Sequence, residues 1–131
     1  MTRRSDYHDM ARHKLDNYLR TVRKHRDLSQ RELGFLLGAK SGEPISRYEH
    51  GVRLPNPDTL LTYEIVFGIA VRELLAGRFE QIERSVTTRI RKLIAKLERD
   101  PQTARSQRKI AELKRIVARE PDYQDDERQA A

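Results

Sequence analysis

Apolar residues recur along this chain at helical spacing and nowhere alternate in the manner of a strand. Leu15, Tyr18, Leu19 and Val22 stand at i, i+3, i+4 and i+7, which gathers them on one side of an α-helix and predicts a first helix ending near Asp27. Leu33, Leu36 and Leu37 predict a second. Its start is signed by Ser29 and Glu32, an S-x-x-E capping box in which each side chain satisfies a backbone N–H, with Leu28 and Leu33 placed as a hydrophobic staple. Gly38 can end that helix in the left-handed conformation. A short third helix over about 43–50 follows the Ser41-Gly42 turn, carries Pro44 in its first turn where a missing N–H costs nothing, and closes at Gly51. Asn56-Pro57 supplies a cap and first-turn proline for a fourth helix to about Phe67. Gly68 breaks it, and a fifth helix runs from about Val71 to Leu75.

Beyond Gly77 the pattern lengthens. Phe79, Ile82, Val86, Ile90, Leu93 and Leu97 form the narrow seam of one long amphipathic helix. Asp100-Pro101 stops it and starts another, with Ile110, Leu113 and Val117 as its seam, and Glu120-Pro121 ends that one. The expected architecture is all-α: a polar arm over 1–13, a five-helix domain over 14–77, a two-helix extension over 78–120, and an acidic, disordered tail over 121–131.

Charge refines the picture. The 131 residues carry a net +7 and an isoelectric point near 10, which points towards a polyanionic partner. The excess is uneven: residues 1–80 hold 14 Lys+Arg against 11 Asp+Glu, 81–120 hold 12 against 5, and 121–131 hold 1 against 4. The most basic part therefore follows the five-helix domain. Absence of cysteine fits a reducing compartment, and no apolar run approaches the ~18 residues of a membrane span, so a cytoplasmic protein without membrane contact is expected. His8, His13, His25 and His50 lack metal-ligand spacing, no nucleophile elbow surrounds a serine, and no glycine-rich phosphate loop occurs. Neither an enzyme nor a bound cofactor or small-molecule ligand is expected.

The order of capped helix, glycine-containing turn, short helix and polar link resembles the Cro/C1-type (XRE) helix-turn-helix family over about residues 15–77. The resemblance rests on Leu28-Ser29-Gln30-Arg31-Glu32-Leu33, Leu37-Gly38, Ile45-Ser46-Arg47-Tyr48-Glu49-His50-Gly51, Arg53-Leu54-Pro55, Asp58-Thr59-Leu60-Leu61 and Glu73-Leu74-Leu75. It implies a lambda-repressor-like domain that binds double-stranded DNA, regulates transcription (as a repressor in the reading preferred here), and pairs as a homodimer on two half-sites. Helical spacing independently puts Glu43, Ser46, Arg47 and His50 on one face of the third helix, with Ile45 and Tyr48 turned inward. Arg47 is the natural reader of guanine, Ser46 can bond a base or a phosphate, and Glu43 can accept from cytosine N4. The plainer alternative is a solvated face with a Glu43–Arg47 ion pair. The resemblance adds phosphate contacts for Gln30, His50 and Arg53, and buried positions for Leu33, Leu37, Ile45, Leu60 and Leu74.

Three features depart from the family pattern. The turn from Gly38 to Pro44 is one residue longer than usual. Gly34 replaces a small residue that is usually alanine, so Gly34→Ala should either stabilise the fold through helix propensity or destabilise it by crowding the third helix, and stabilisation is preferred. Phe35 and Leu36 stand where polar residues are general, which suggests an added packing surface supplied by the arm or the late helices. An autorepressing antitoxin and a protein-interaction module on the same fold stay open as alternatives. For residues 78–120, self-association is the expectation, with fold-back of the last helix or contact with flanking phosphates as the other possibilities.

Overall fold

Each helix begins and ends where the chain supplies a local reason. In the computed structural model, which describes residues 16–119, the helical segments are α1 (Leu19–His25), α2 (Gln30–Leu36), α3 (Glu43–Glu49), α4 (Pro57–Phe67), α5 (Val71–Leu74), α6 (Ala76–Arg99) and α7 (Ala104–Ala118). No strand occurs among the described residues. Leu15, the 1–13 arm and the 121–131 tail lie outside them.

Ser29 caps α2 as the spacing predicts: its Oγ accepts from Glu32 N at 3.0 Å, and Ser29 N donates to Glu32 Oε1 at 2.9 Å. The Ser29 hydrogen bonds hold the Glu32 carboxyl below the ordinary glutamate range. Asn56 Oδ1 accepts from Thr59 N at 2.9 Å to open α4, and Gly68, at φ 68°, closes it. The last helix starts later than Pro101 predicts. Thr103 and Ser106 form a second reciprocal capping box, so the residues after Asp100 stay non-helical until Ala104.

The chain divides into two units, Met1–Glu80 and Gln81–Ala131, and the division falls within α6. The first unit is built around Tyr18, Leu19, Val22, Leu33, Ile45, Tyr48, Tyr63, Phe67, Ile69 and Leu74. Leu28 and Leu37 pack against this core, whereas Leu60 is only half-buried. Tyr63 sits at its centre, edge-on to Tyr48 and tilted against Phe67. Two hydrogen bonds close the unit at its ends: Tyr18 N donates to Leu74 O at 2.7 Å, and Arg26 Nη2 donates to Phe67 O at 2.8 Å.

Gly34 is buried for a reason that helix propensity does not reveal. A Cβ added there would stand 2.5 Å from Ser41 O, and one added to Gly42 would stand 2.9 Å from Arg31 N. The two glycines let α2 and the turn before α3 approach backbone to backbone. Contact distance therefore favours the crowding outcome for Gly34→Ala over the preferred gain in helix propensity. Phe35 is 81% exposed and Leu36 47%, and the arm, one of the packing partners expected for them, lies outside the described residues.

In the second unit an ion pair joins Glu98 of α6 to Lys114 of α7 at 3.2 Å, and Ile110 is buried. Ile90, Ile94 and Leu97 are half-buried, as are Leu113, Ile116 and Val117. The earlier part of the α6 seam stays open: Ile82 is 51% and Val86 37% exposed, as is Leu93 further on at 45%.

Candidate nucleic-acid interface

One side of α3 is fixed to the first unit by both packing and charge. Ile45 is fully buried and Tyr48 nearly so. On the same side the Glu49 carboxylate, entirely removed from solvent, receives Arg23 Nε at 2.6 Å, Arg23 Nη2 at 3.1 Å and Gln30 Nε2 at 3.2 Å. Arg23 also donates through Nη1 to Leu28 O at 2.8 Å. A buried carboxylate needs donors to replace its hydration, and here a planar fork meets it on both oxygens. The bond to Glu49 in turn raises the Arg23 pKa further above its ordinary value. The result ties α1, the start of α2 and α3 into one rigid frame. Asn17 Nδ2 adds a bond to Tyr48 O at 3.3 Å.

The opposite side of α3 is open. Glu43, Arg47 and His50 are exposed and Ser46 is half-buried, so the four residues grouped by helical spacing do share the outer face. Arg47 Nη2 donates to Glu43 Oε1 at 2.6 Å, with side-chain exposures of 51% and 69%. An i,i+4 pair this wet contributes only about 0.2–0.5 kcal/mol, so a base edge could compete for the guanidinium at small cost. His50 Nδ1 lies 2.7 Å from Ser46 O. A carbonyl only accepts, so Nδ1 carries the proton and donates, which leaves Nε2 for an outside partner. Arg53 is exposed just beyond Gly51, whose φ of 70° turns the chain out of α3.

Gln30 stands apart from this group. Its Nε2 is engaged with Glu49, and its second amide hydrogen is the one that could reach outward. Sequence reasoning missed Arg23, Glu49 and Asn17, which position α3. A signal existed for one of them. Glu49 follows Ile45 at i+4 on the inward face, and a charge there demands a buried partner.

What this arrangement can do is present a short, rigidly backed helix whose exposed edge carries a planar cation, a hydroxyl and an imidazole. That is the chemistry by which a helix reads a major groove. Among the described residues no three His, Asp or Glu side chains converge to hold a metal, and no helix is long and apolar enough to cross a membrane. Comparisons with curated proteins and with solved structures return no match. The helix-turn-helix family model matches residues 19–74, a span that begins at α1 and ends at α5. With the frame, turn and exposed helix in the order that model describes, residues 19–74 are a Cro/C1-type (XRE family) helix-turn-helix domain, the kind of domain that supports a DNA-binding regulator.

Proposed function

We propose that the chain is a sequence-specific repressor that binds double-stranded DNA as a homodimer, with α3 of each copy in the major groove of one half-site. The observation that carries this reading is the division of α3 into an anchored inner side and an exposed outer side bearing Glu43, Ser46, Arg47 and His50. Arg47 reads guanine through O6 and N7, Ser46 and Glu43 contact neighbouring groups, and Arg53 holds a phosphate, with Gln30 adding its outward amide hydrogen. His50 holds another phosphate as the imidazolium, whose Nε2–H donates outward while Nδ1–H stays on Ser46 O. Two half-sites are required because one unit touches too few bases for high specificity. The α6 seam, with Phe79, Ile82, Val86 and Leu93 exposed in the single chain, supplies the surface for pairing with a second copy.

Selection of bound sequences from a randomised duplex library tests the reading. Arg47→Ala should lose preference at one base pair and cost about 1–3 kcal/mol on the selected site. Arg53→Ala should instead weaken every sequence alike. An unchanged sequence profile for Arg47→Ala would remove it as the reader. A promoter carrying the selected site, fused to a reporter, should be silenced when the protein is expressed.

A further inference from the structure

The basic excess of the second unit is not spread evenly around α6. At about 100° per residue, Arg89, Lys92, Lys96 and Arg99 fall within roughly 80° of one another and form a stripe about 15 Å long. All four side chains are exposed. The carboxylates of the same helix lie elsewhere: Glu83 is roughly 120° around from Arg89, and Glu80 and Glu98 roughly 180°. Among the described residues none of the four cations is held in an ion pair, and Arg99 spends only its Nε, on Ala95 O.

A helix charged merely for solubility pairs its cations with acids one turn away. This chain does so on α3, through Glu43 and Arg47, and on α7, where Glu112 sits among the cations and meets Arg115 at 3.2 Å. The α6 stripe does the reverse. Its neighbours at i+3 and i+4 are like charges three times in succession, each of which destabilises the isolated helix. The helix dipole accounts for Lys96 and Arg99 in the last turn, but not for Arg89 and Lys92 further back. We propose that this stripe is a second DNA-binding surface, which takes phosphates of double-stranded DNA without reading its bases. A duplex presents about nine phosphate charges over a length of 15 Å, enough to meet four cations. The inference rests on the DNA-binding reading of the first unit and adds to it a site on the second.

The test uses the full chain carrying Arg89→Gln, Lys92→Gln and Lys96→Gln together, and measures affinity for a selected and a random duplex across a salt series. Loss of three phosphate contacts should make the slope of log affinity against log salt shallower by about 2.7. Between 50 and 200 mM salt the unaltered chain then loses roughly 40-fold more affinity than the variant, and does so on both duplexes. The charge-matched control, Arg105→Gln, Arg108→Gln and Lys109→Gln on α7, should leave the slope nearly unchanged. Equal slopes for the α6 variant and the unaltered chain overturn the proposal, as does an equal shift from the α7 control. A slope change that appears only together with lost self-association in sedimentation also overturns it. If the unaltered chain shows no sequence preference while the α6 slope effect persists, operator recognition fails and the stripe stands.

Discussion

Replacing Gly34 with alanine sets a local gain against a tertiary loss. Glycine inside a helix is less favourable than alanine by up to about 1 kcal/mol, and Gly34 lies within α2, so propensity alone argues for a stabler protein. The added Cβ, however, would meet Ser41 O at 2.5 Å, where ordinary contact begins near 3.4 Å. The atom in the way is backbone, not the end of a flexible side chain. Relief requires the turn to retreat by close to an ångström, from 2.5 Å to about 3.4 Å, and α3 follows that turn directly. Overpacking of this kind typically costs about 1–3 kcal/mol. Subtracting the propensity gain centres the net destabilisation at about 1 kcal/mol, or a Tm lowered by on the order of 4–8 °C for a domain of this size. Thermal and urea unfolding followed by far-UV circular dichroism would measure it. Operator affinity should fall further than stability does, because a displaced α3 carries Arg47 with it. A Tm equal to or above that of the unaltered chain would refute the reasoning, and Gly42→Ala, whose Cβ meets Arg31 N at 2.9 Å, should shift in the same direction.

Three further outcomes are expected. Glu49→Ala strands the Arg23 guanidinium in a site where its side chain is 10% exposed, and should cost about 3–5 kcal/mol in urea unfolding; a loss under about 1 kcal/mol would mean the frame is held by packing alone. Tyr63→Phe removes a buried hydroxyl that has no hydrogen-bond partner, so stability near neutral pH should stay level or rise. Burial holds the Tyr63 phenol above its ordinary value, so the folded state keeps its proton while the unfolded chain ionises; stability is full below pH ~10 and declines above it, and that alkaline decline should shrink in Tyr63→Phe. Ile82→Asp places a charge on the open α6 seam and should abolish self-association in sedimentation while leaving the Tm of the first unit in place.

What could be read from the chain beforehand tracks how local its cause is. Caps act within four residues, so Ser29 with Glu32, Asn56 with Pro57, and the glycines at 38, 51 and 68 mark helix ends that recur in the structure. The start of α7 escaped because a proline signal at Pro101 outranked Thr103, whose capping partner is a serine in place of the usual Glu or Gln. At the outer face of α3, the Glu43–Arg47 contact follows from helical spacing alone. The inner face does not: Arg23 and Glu49 are 26 positions apart, and only the fold brings them together. Gly34 belongs to the same class, because propensity is a property of one helix and a 2.5 Å contact is a property of two segments. The family resemblance indicated where Gln30 should act, but its bond to Glu49 depends on a neighbour 19 residues away.

The separation of α3 into an anchored side and an open side bears on how such a regulator can change. Ile45, Tyr48 and Glu49 hold the helix in place, and none of them faces outward. Glu43, Arg47 and His50 face outward and bury little, so substitutions there are nearly silent in folding. If these residues read the operator as proposed, new preferences are reachable by single steps, without a partner mutation to rescue the scaffold. Duplicated copies of the gene could drift to different targets while sharing one fold. For an engineer, the same property makes the outer residues a cartridge that can be exchanged as a set.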